Sequence, residues 1–340
     1  MNIETAPFER TSIPDAVARL APPAVLERWR DIDRSASQPQ LVTATQHGEV
    51  VGAALITARP HTSYCKIVDV VGAVEPVVQA VVEAAQQAGQ AQVKWEGDAG
   101  SLGFTALTPP LSSGPGSDAP AQASVRWLVP EITVQAVPYY AQTTYYTCGS
   151  VTALSALAAL VPQGEAPLDE EQEMAFWKEA NNHPACEPVG LGVAIAQARP
   201  ELKVTIALDS AEPVILEHLE GEDRAWRAGL QRESRLKAER LGIPIRAGRM
   251  TIDELAAAVK AGSGALLLLS LALMRGMPVP HWVRCCGTAG DTVVIDDPAV
   301  DPATGESWVD GHLLPIPAAD LDAMAAYGDG GYRGAVLLRR

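Results

Sequence analysis

The chain has 340 residues, 47% hydrophobic and 20% charged, with 26 Lys and Arg against 41 Asp and Glu for a formal net charge of -15. That balance belongs to chains that collapse around a core, and the length exceeds what one compact core usually holds, so two domains of unequal size are expected. The negative charge repels phosphate backbones and anionic lipid surfaces, which excludes nucleic acid and membranes as expected partners.

The first residues, MNIETAPFERTSIPDAV, lack a basic segment followed by an apolar one, so no secretory signal is read there. Ile13 to Ile32 reads as a helix or a helix pair broken at Pro22 and Pro23. Gln40 to Thr45 and Val50 to Ala58 flank the turn His47-Gly48 as a hairpin. Cys65 to Val71 is a strand, Glu75 to Gln87 has helical spacing of Val77, Val78, Val81, Val82 and Ala85, and Ala91 to Trp95 is again a strand. Thr108 to Ala123 is rich in Pro, Gly, Ser and Ala and reads as a linker. This divides the chain into a domain over 1–107, a linker over 108–123 and a second domain over 124–340.

The second domain opens with Val137 to Tyr140 and a helix over Cys148 to Leu160, where small Ala and Ser residues permit close packing. Helices are expected at Leu168 to Asn181, Leu191 to Gln197, Ala211 to Ala238 and Ile252 to Ala261. Strands are expected at Lys203 to Leu208, Ala265 to Leu273, His281 to Gly287, Thr292 to Asp296 and Tyr332 to Leu338. A helix-rich half before a strand-rich half is the α+β pattern. The longest apolar stretch, Gly264 to Met274, falls short of the roughly 20 residues a bilayer needs and reads as a buried strand. Arg232, Arg235, Lys237 and Arg240 alternate with Glu233 and Glu239, a solvated helix face. Cys65, Cys148, Cys186, Cys285 and Cys286 include no CxxC pair, so reduced thiols in a cytoplasmic setting and no metal site are expected.

One constellation carries chemistry. Cys148 stands where an Ala/Leu-rich helix begins, a position whose unpaired amides favour an anion, and Gln142 lies six residues earlier. The Gln142 carboxamide and the Cys148 N–H would form an oxyanion hole. His281 starts a strand, and Asp297 ends the next one just before Pro298, so the hairpin between them makes the two neighbours. Asp296 competes with Asp297, but alternation puts only one of them on the His281 face. Gly149, Tyr146 and Trp282 are the expected substrate-binding residues, although aromatic packing explains Tyr140, Tyr145, Tyr146 and Trp282 equally well. His183 with Cys186, and Glu173 with Trp177, read as structural pairs rather than a ligand pair and a substrate clamp.

The runs VPYYAQTTYYTCGS, PHWVRCCG and DTVVIDDP resemble the papain-like peptidase domain of bacteriocin double-glycine leader peptidases. EEQEMAFWKEANN, ACEPVGLGVA, GMPVPHWV, VIDDPAVD and AMAAYGDGGYRGAVLL extend the resemblance to bacterial proteins that fuse a GNAT-like module to such a domain. The resemblance implies a papain-like cysteine protease fold, with Cys148 as nucleophile, His281 as base, Asp297 as orienting acid and Gln142 as oxyanion donor. Cys-Gly-Ser at 148 to 150 departs from the family's Cys-Gly-Pro. The order helix, hairpin, strand, helix, strand before the linker resembles a GNAT acetyltransferase. The family's Arg/Gln-x-x-Gly-x-Gly/Ala loop is reduced here to Gly72-Ala73, which implies a degenerate, non-catalytic α/β domain without a coenzyme.

The expected activity is cysteine-dependent cleavage of an amide through a thioester, with no cofactor. Acyl or peptidyl transfer by the same residues is the alternative, and a non-catalytic peptide-binding module the second alternative. The expected partner is a peptide, a carrier-bound acyl group or a small amide, and the GNAT-like part is the candidate for recognising it.

Overall fold

A computed structural model of the chain describes residues 1–100, 102–161, 167–180 and 185–340. It divides into one compact unit made of Met1–Pro109, Asp118–Pro130 and Val300–Asp310, and a second made of Pro110–Ser117, Glu131–Ala299 and Gly311–Arg340.

The first unit contains β1 (Asn2–Pro7), α1 (Asp15–Ala18), α2 (Pro23–Asp31), β2 (Gln40–Gln46), β3 (Glu49–Thr57), β4 (Tyr64–Gly72), α3 (Val74–Gln87), β5 (Gln92–Trp95), β6 (Thr105–Ala106) and β7 (Ser124–Trp127). The sheet runs in the order β1-β2-β3-β4-β5-β7-β6. His47 and Gly48, both at positive φ (53° and 85°), close the tight β2–β3 turn in the left-handed region that a two-residue hairpin requires. Val77, Val78, Val81, Val82 and Ala85 recur at helical spacing and bury one stripe of α3 against one face of the sheet. The opposite face takes Trp29 of α2 and Val17 of α1.

β4 turns into α3 at Gly72 and Ala73, and this turn is pinned to β3. Gly72 sits at φ +73°, a Cβ on it would meet the Val51 carbonyl oxygen, and the Ala73 N–H donates to that same oxygen at 2.9 Å. A pyrophosphate needs several free amides converging in an open nest, so this turn does not fit a coenzyme.

β7 corrects the boundary expected from composition. Ser124–Trp127 pairs antiparallel with β5, so 108–123 loops out between two strands of one sheet, and the units part after Pro130. The first unit also takes up Val300–Asp310, where Lys66 Nζ meets Asp310 at 2.5 Å and Glu96 at 2.7 Å, and Arg59 meets Glu306 at 2.7 Å.

The second unit contains β8 (Ile132–Val134), α4 (Cys148–Leu160), α5 (Glu170–Ala180), α6 (Pro188–Ala198), β9 (Lys203–Leu208), α7 (Gly221–Arg240), β10 (Ile245–Arg246), α8 (Ile252–Lys260), β11 (Gly264–Ser270), α9 (Ala272–Arg275), β12 (Pro280–Ala289) and β13 (Thr292–Asp296). After α10 (Trp308–Gly311) come β14 (Leu314–Pro317), α11 (Ala318–Met324) and β15 (Gly334–Arg339). The sheet order is β10-β9-β15-β11-β12-β13-β14, with β8 added on β12. β11 is central and apolar throughout, and α4 to α6 pack with it and with β9, β12 and β15 in one core.

Two expectations shift, and the end of a third lies outside the described residues. The helix expected from Ala211 begins only at Gly221, because Pro213 breaks the run and the Gln231 side chain bonds both the N–H and the carbonyl of Val214, holding that segment as a loop. The strand expected to Leu273 ends at Ser270, and Ala272–Arg275 forms a helical turn closed by Gly276 at φ 71°. The helix expected to Asn181 is described only to Ala180, since Asn181 lies outside the described residues.

Candidate active site

Cys148 is the first residue of α4, where amides have no intrahelical partner. The helix beneath it packs tightly because its residues are small. A Cβ on Gly149 would meet the Cys186 Cβ at 3.0 Å and the Trp282 ring at 3.3 Å. One turn further, Thr152 Oγ1 donates to the Trp282 carbonyl at 3.0 Å. These contacts lock the helix that begins at Cys148 to β12, the strand that carries His281.

His281 pairs with Leu269 of central β11, and β12 turns back into β13, so Asp297 comes beside it one residue past the strand. His281 Nε2 lies 2.7 Å from Asp297 Oδ1, so Nδ1 is the ring nitrogen that carboxylate does not engage. Asp297 is fully buried; its Oδ1 also accepts from the Ala299 N–H, Oδ2 is 3.6 Å from Arg275, and its backbone carbonyl accepts from the Tyr139 hydroxyl. Burial alone would lower the pKa of His281. The Asp297 charge and hydrogen bond, with smaller contributions from Cys148, outweigh it and raise the ring to about 9.

Asp296 points elsewhere. It accepts from Arg284 at 2.8 Å, from His312 Nδ1 at 2.9 Å and from the Leu313 N–H at 2.9 Å, and despite burial these partners hold its carboxyl at about 2.

Gln142 reaches the same place through its backbone, whose N–H donates to the carbonyl of Pro298, next to Asp297. Its Nε2 donates to the Thr144 carbonyl at 2.7 Å, committing one amide proton and leaving the other. Tyr146 packs on Trp177 with ring centroids 4.9 Å apart and the planes tilted by 47°, and Tyr145 beside it is exposed.

Trp282 departs from its expected substrate-binding place. It is 1% exposed and its indole N–H donates to the Cys186 carbonyl at 2.9 Å, so it braces α4 from below. Gly149 is equally buried, and its part is to let α4 approach Cys186 and Trp282. Cys186 is buried and its thiol is pushed well up, first by burial and then by Cys148. His183, its expected neighbour, lies outside the described residues. Among the described residues no His, Cys, Asp and Glu cluster could hold a metal, and no helix is long and apolar enough to cross a membrane.

Sequence reasoning paired Glu173 with Trp177 and missed its hold on Tyr140 and Thr143. It stands in the acidic first turn of α5 with exposed Glu170 and Glu171, yet it is fully buried and binds Tyr140 and the Thr143 N–H. The available signal was its place one turn before Phe176 and Trp177, on the inward stripe of the helix.

No curated protein matches the chain by sequence. Among solved structures, a C39-like peptidase from Bacillus anthracis is similar at 12% identity and TM-score 0.30, covering 62% of this chain and 98% of that one. An IAA acetyltransferase from Bacillus cereus ATCC 14579 is similar at 13% identity and TM-score 0.26, covering 37% of this chain and 100% of that one. A GNAT family acetyltransferase from Elizabethkingia anophelis with acetyl-CoA bound is similar at 13% identity and TM-score 0.27, covering 37% and 99%. The model of the Peptidase_C39 like family matches residues 137–339, more than half of the chain and all of the elements that carry Cys148, His281 and Asp297, and the chain belongs to that family.

Proposed function

We propose that this protein cleaves an amide bond by cysteine-dependent acyl transfer to water. The observation that carries the reading is the buried Asp297–His281 pair, 2.7 Å from carboxylate to imidazole, with an imidazole pKa that Asp297 and then Cys148 raise.

The Cys148 sulfur attacks the carbonyl carbon, and the carbonyl π pair moves onto oxygen. That oxyanion is received by the Cys148 N–H and the Gln142 carboxamide. His281 gives its Nδ1 proton to the leaving nitrogen as the C–N bond breaks, which releases the amine and leaves a thioester on Cys148. The now neutral imidazole takes a proton from water, whose oxygen attacks the thioester, and the thiolate and imidazolium are restored together. Asp297 holds the ring in the tautomer this sequence needs and compensates its charge throughout.

Incubation with p-nitrophenyl acetate followed by intact mass and peptide mapping tests the reading. An acetyl adduct on Cys148 that forms in a burst, is absent in Cys148→Ser and decays in water is the expected result. Decay that speeds up only with an added amine would assign the chain to acyl transfer instead. A protein that takes no acetyl group on Cys148 would be a peptide-binding module rather than an enzyme.

A further inference from the structure

We infer that Glu173 is a positioning residue that holds the loop carrying Gln142 in its catalytic geometry. The inference rests on the reading of Gln142 as oxyanion donor.

The segment from Val137 to Thr147 has no helix or strand to shape it, although it must deliver Gln142 and then Cys148. Its shape comes from α5. Glu173 Oε1 accepts from the Thr143 N–H at 2.9 Å, and Oε2 accepts from the Tyr140 hydroxyl at 3.0 Å, so one carboxylate grips the loop on both sides of Gln142. One turn later Trp177 packs against Tyr146 at a tilt. A carboxylate at 0% exposure is costly to bury unless both oxygens are satisfied, and here both are satisfied by this loop. The Tyr140 pKa is raised, by burial first and by the Glu173 charge second, so its phenolic proton stays in place for the contact.

Gln142 itself is only partly held. Its Nε2 is tied to the Thr144 carbonyl, while Oε1 is buried with no hydrogen-bond partner among the described residues. The carboxamide therefore takes its orientation from Thr144, and Thr144 takes its place from the neighbouring Thr143 that Glu173 holds. Oxyanion donors act by being fixed before charge develops, and a displacement of about 1 Å costs roughly 100-fold in rate.

Two reactions of the same sulfur separate this role from general stability. Alkylation by iodoacetamide displaces iodide at a saturated carbon and forms no oxyanion, whereas acetylation by p-nitrophenyl acetate forms one before p-nitrophenolate leaves. In full-length Glu173→Ala, the acetylation burst is expected to slow by about 100-fold while alkylation stays within about threefold of the parent. Gln142→Ala is expected to show the same selective loss. Glu173→Gln, which can still accept from the Thr143 N–H and donate to the Tyr140 oxygen, is expected to recover most of the acetylation rate. If Glu173→Ala fails to fold, Tyr140→Phe decides, with an expected loss of about tenfold confined to acetylation.

Parallel loss of both reactions in Glu173→Gln or Tyr140→Phe, with folding intact, would make Glu173 a structural residue only and overturn the inference. Unchanged acetylation in these variants would overturn it too. A parent whose Cys148 neither alkylates fast nor acetylates would remove the proposed function, and the inference with it.

Discussion

At the scale of single residues the site depends on one charge. With Asp297 ionised, His281 is raised to about 9 although burial alone opposes this. Asp297→Asn keeps a hydrogen-bonding partner but removes the charge, so burial prevails and the ring pKa should fall below its ordinary 6.5, as proton NMR of the imidazole would read. The sign for stability follows. Because the folded-state pKa lies above the unfolded one, the ionised pair stabilises the fold fully below pH 6.5, and that contribution is lost as pH rises from 6.5 through 9. Urea unfolding across this window should show the loss in the parent and not in Asp297→Asn. Cys148, His281 and Asp297 could be read in the sequence because a thiol at a helix start and a His-Asp pair across a hairpin are spacing patterns. The hold of Glu173 on Tyr140 and Thr143 was not legible, because contacts across 33 and 30 residues of chain leave no local pattern, and only its pairing with Trp177 on one helix face could be read.

At the scale of elements the place of Cys148 is set by how closely α4 approaches β12 and the Cys186 segment. Gly149→Ala puts a methyl at 3.0 Å from Cys186 Cβ and 3.3 Å from the Trp282 ring, both buried, so the helix start must shift. Overpacking of this kind costs about 1–3 kcal/mol, and thermal unfolding together with a slowed Cys148 alkylation checks it. Ser150 lies in the same turn with its hydroxyl buried and no hydrogen-bond partner among the described residues. Ser150→Ala removes that unsatisfied group and should stabilise by about 1 kcal/mol, which denaturant unfolding would detect. Elements with unbroken apolar patterning were legible to the residue: α4 over 148–160, β9 over 203–208 and β13 over 292–296 coincide with the expected spans. The pattern misled where a side chain builds the backbone path, as Gln231 does at Val214, and it was silent at β1, whose six residues are all exposed and show no alternation.

At the scale of the molecule the order of the sequence is not the order of the units. Composition marked 108–123 as loop, but pairing of Ser124–Trp127 with β5 and the placement of Val300–Asp310 are long-range events that no local pattern carries. Lys66 stands in the middle of the second of these, bonded to both Glu96 and Asp310 and 1% exposed. Lys66→Met removes the cation shared by two carboxylates and should destabilise by about 3–5 kcal/mol, read by thermal unfolding. Asp310 resists burial because Lys66 and Arg59 hold its carboxyl at about 2. Its stabilising contribution is therefore complete above the unfolded value of about 3.9 and is lost as pH falls toward 2, and Lys66→Met should flatten that acid limb. A chain started at Glu131 keeps Val300–Asp310 but discards the sheet on which that segment is buried, and should unfold at lower temperature and bind a hydrophobic dye.

The most direct test of the active site is the rate of Cys148 alkylation by iodoacetamide as a function of pH, in the parent and in His281→Ala. The proposed activation of Cys148 by His281 predicts fast labelling in the parent, reduced in the variant to the rate of an unassisted cysteine. Slow labelling that follows a free thiol in the parent and does not change in His281→Ala would contradict it.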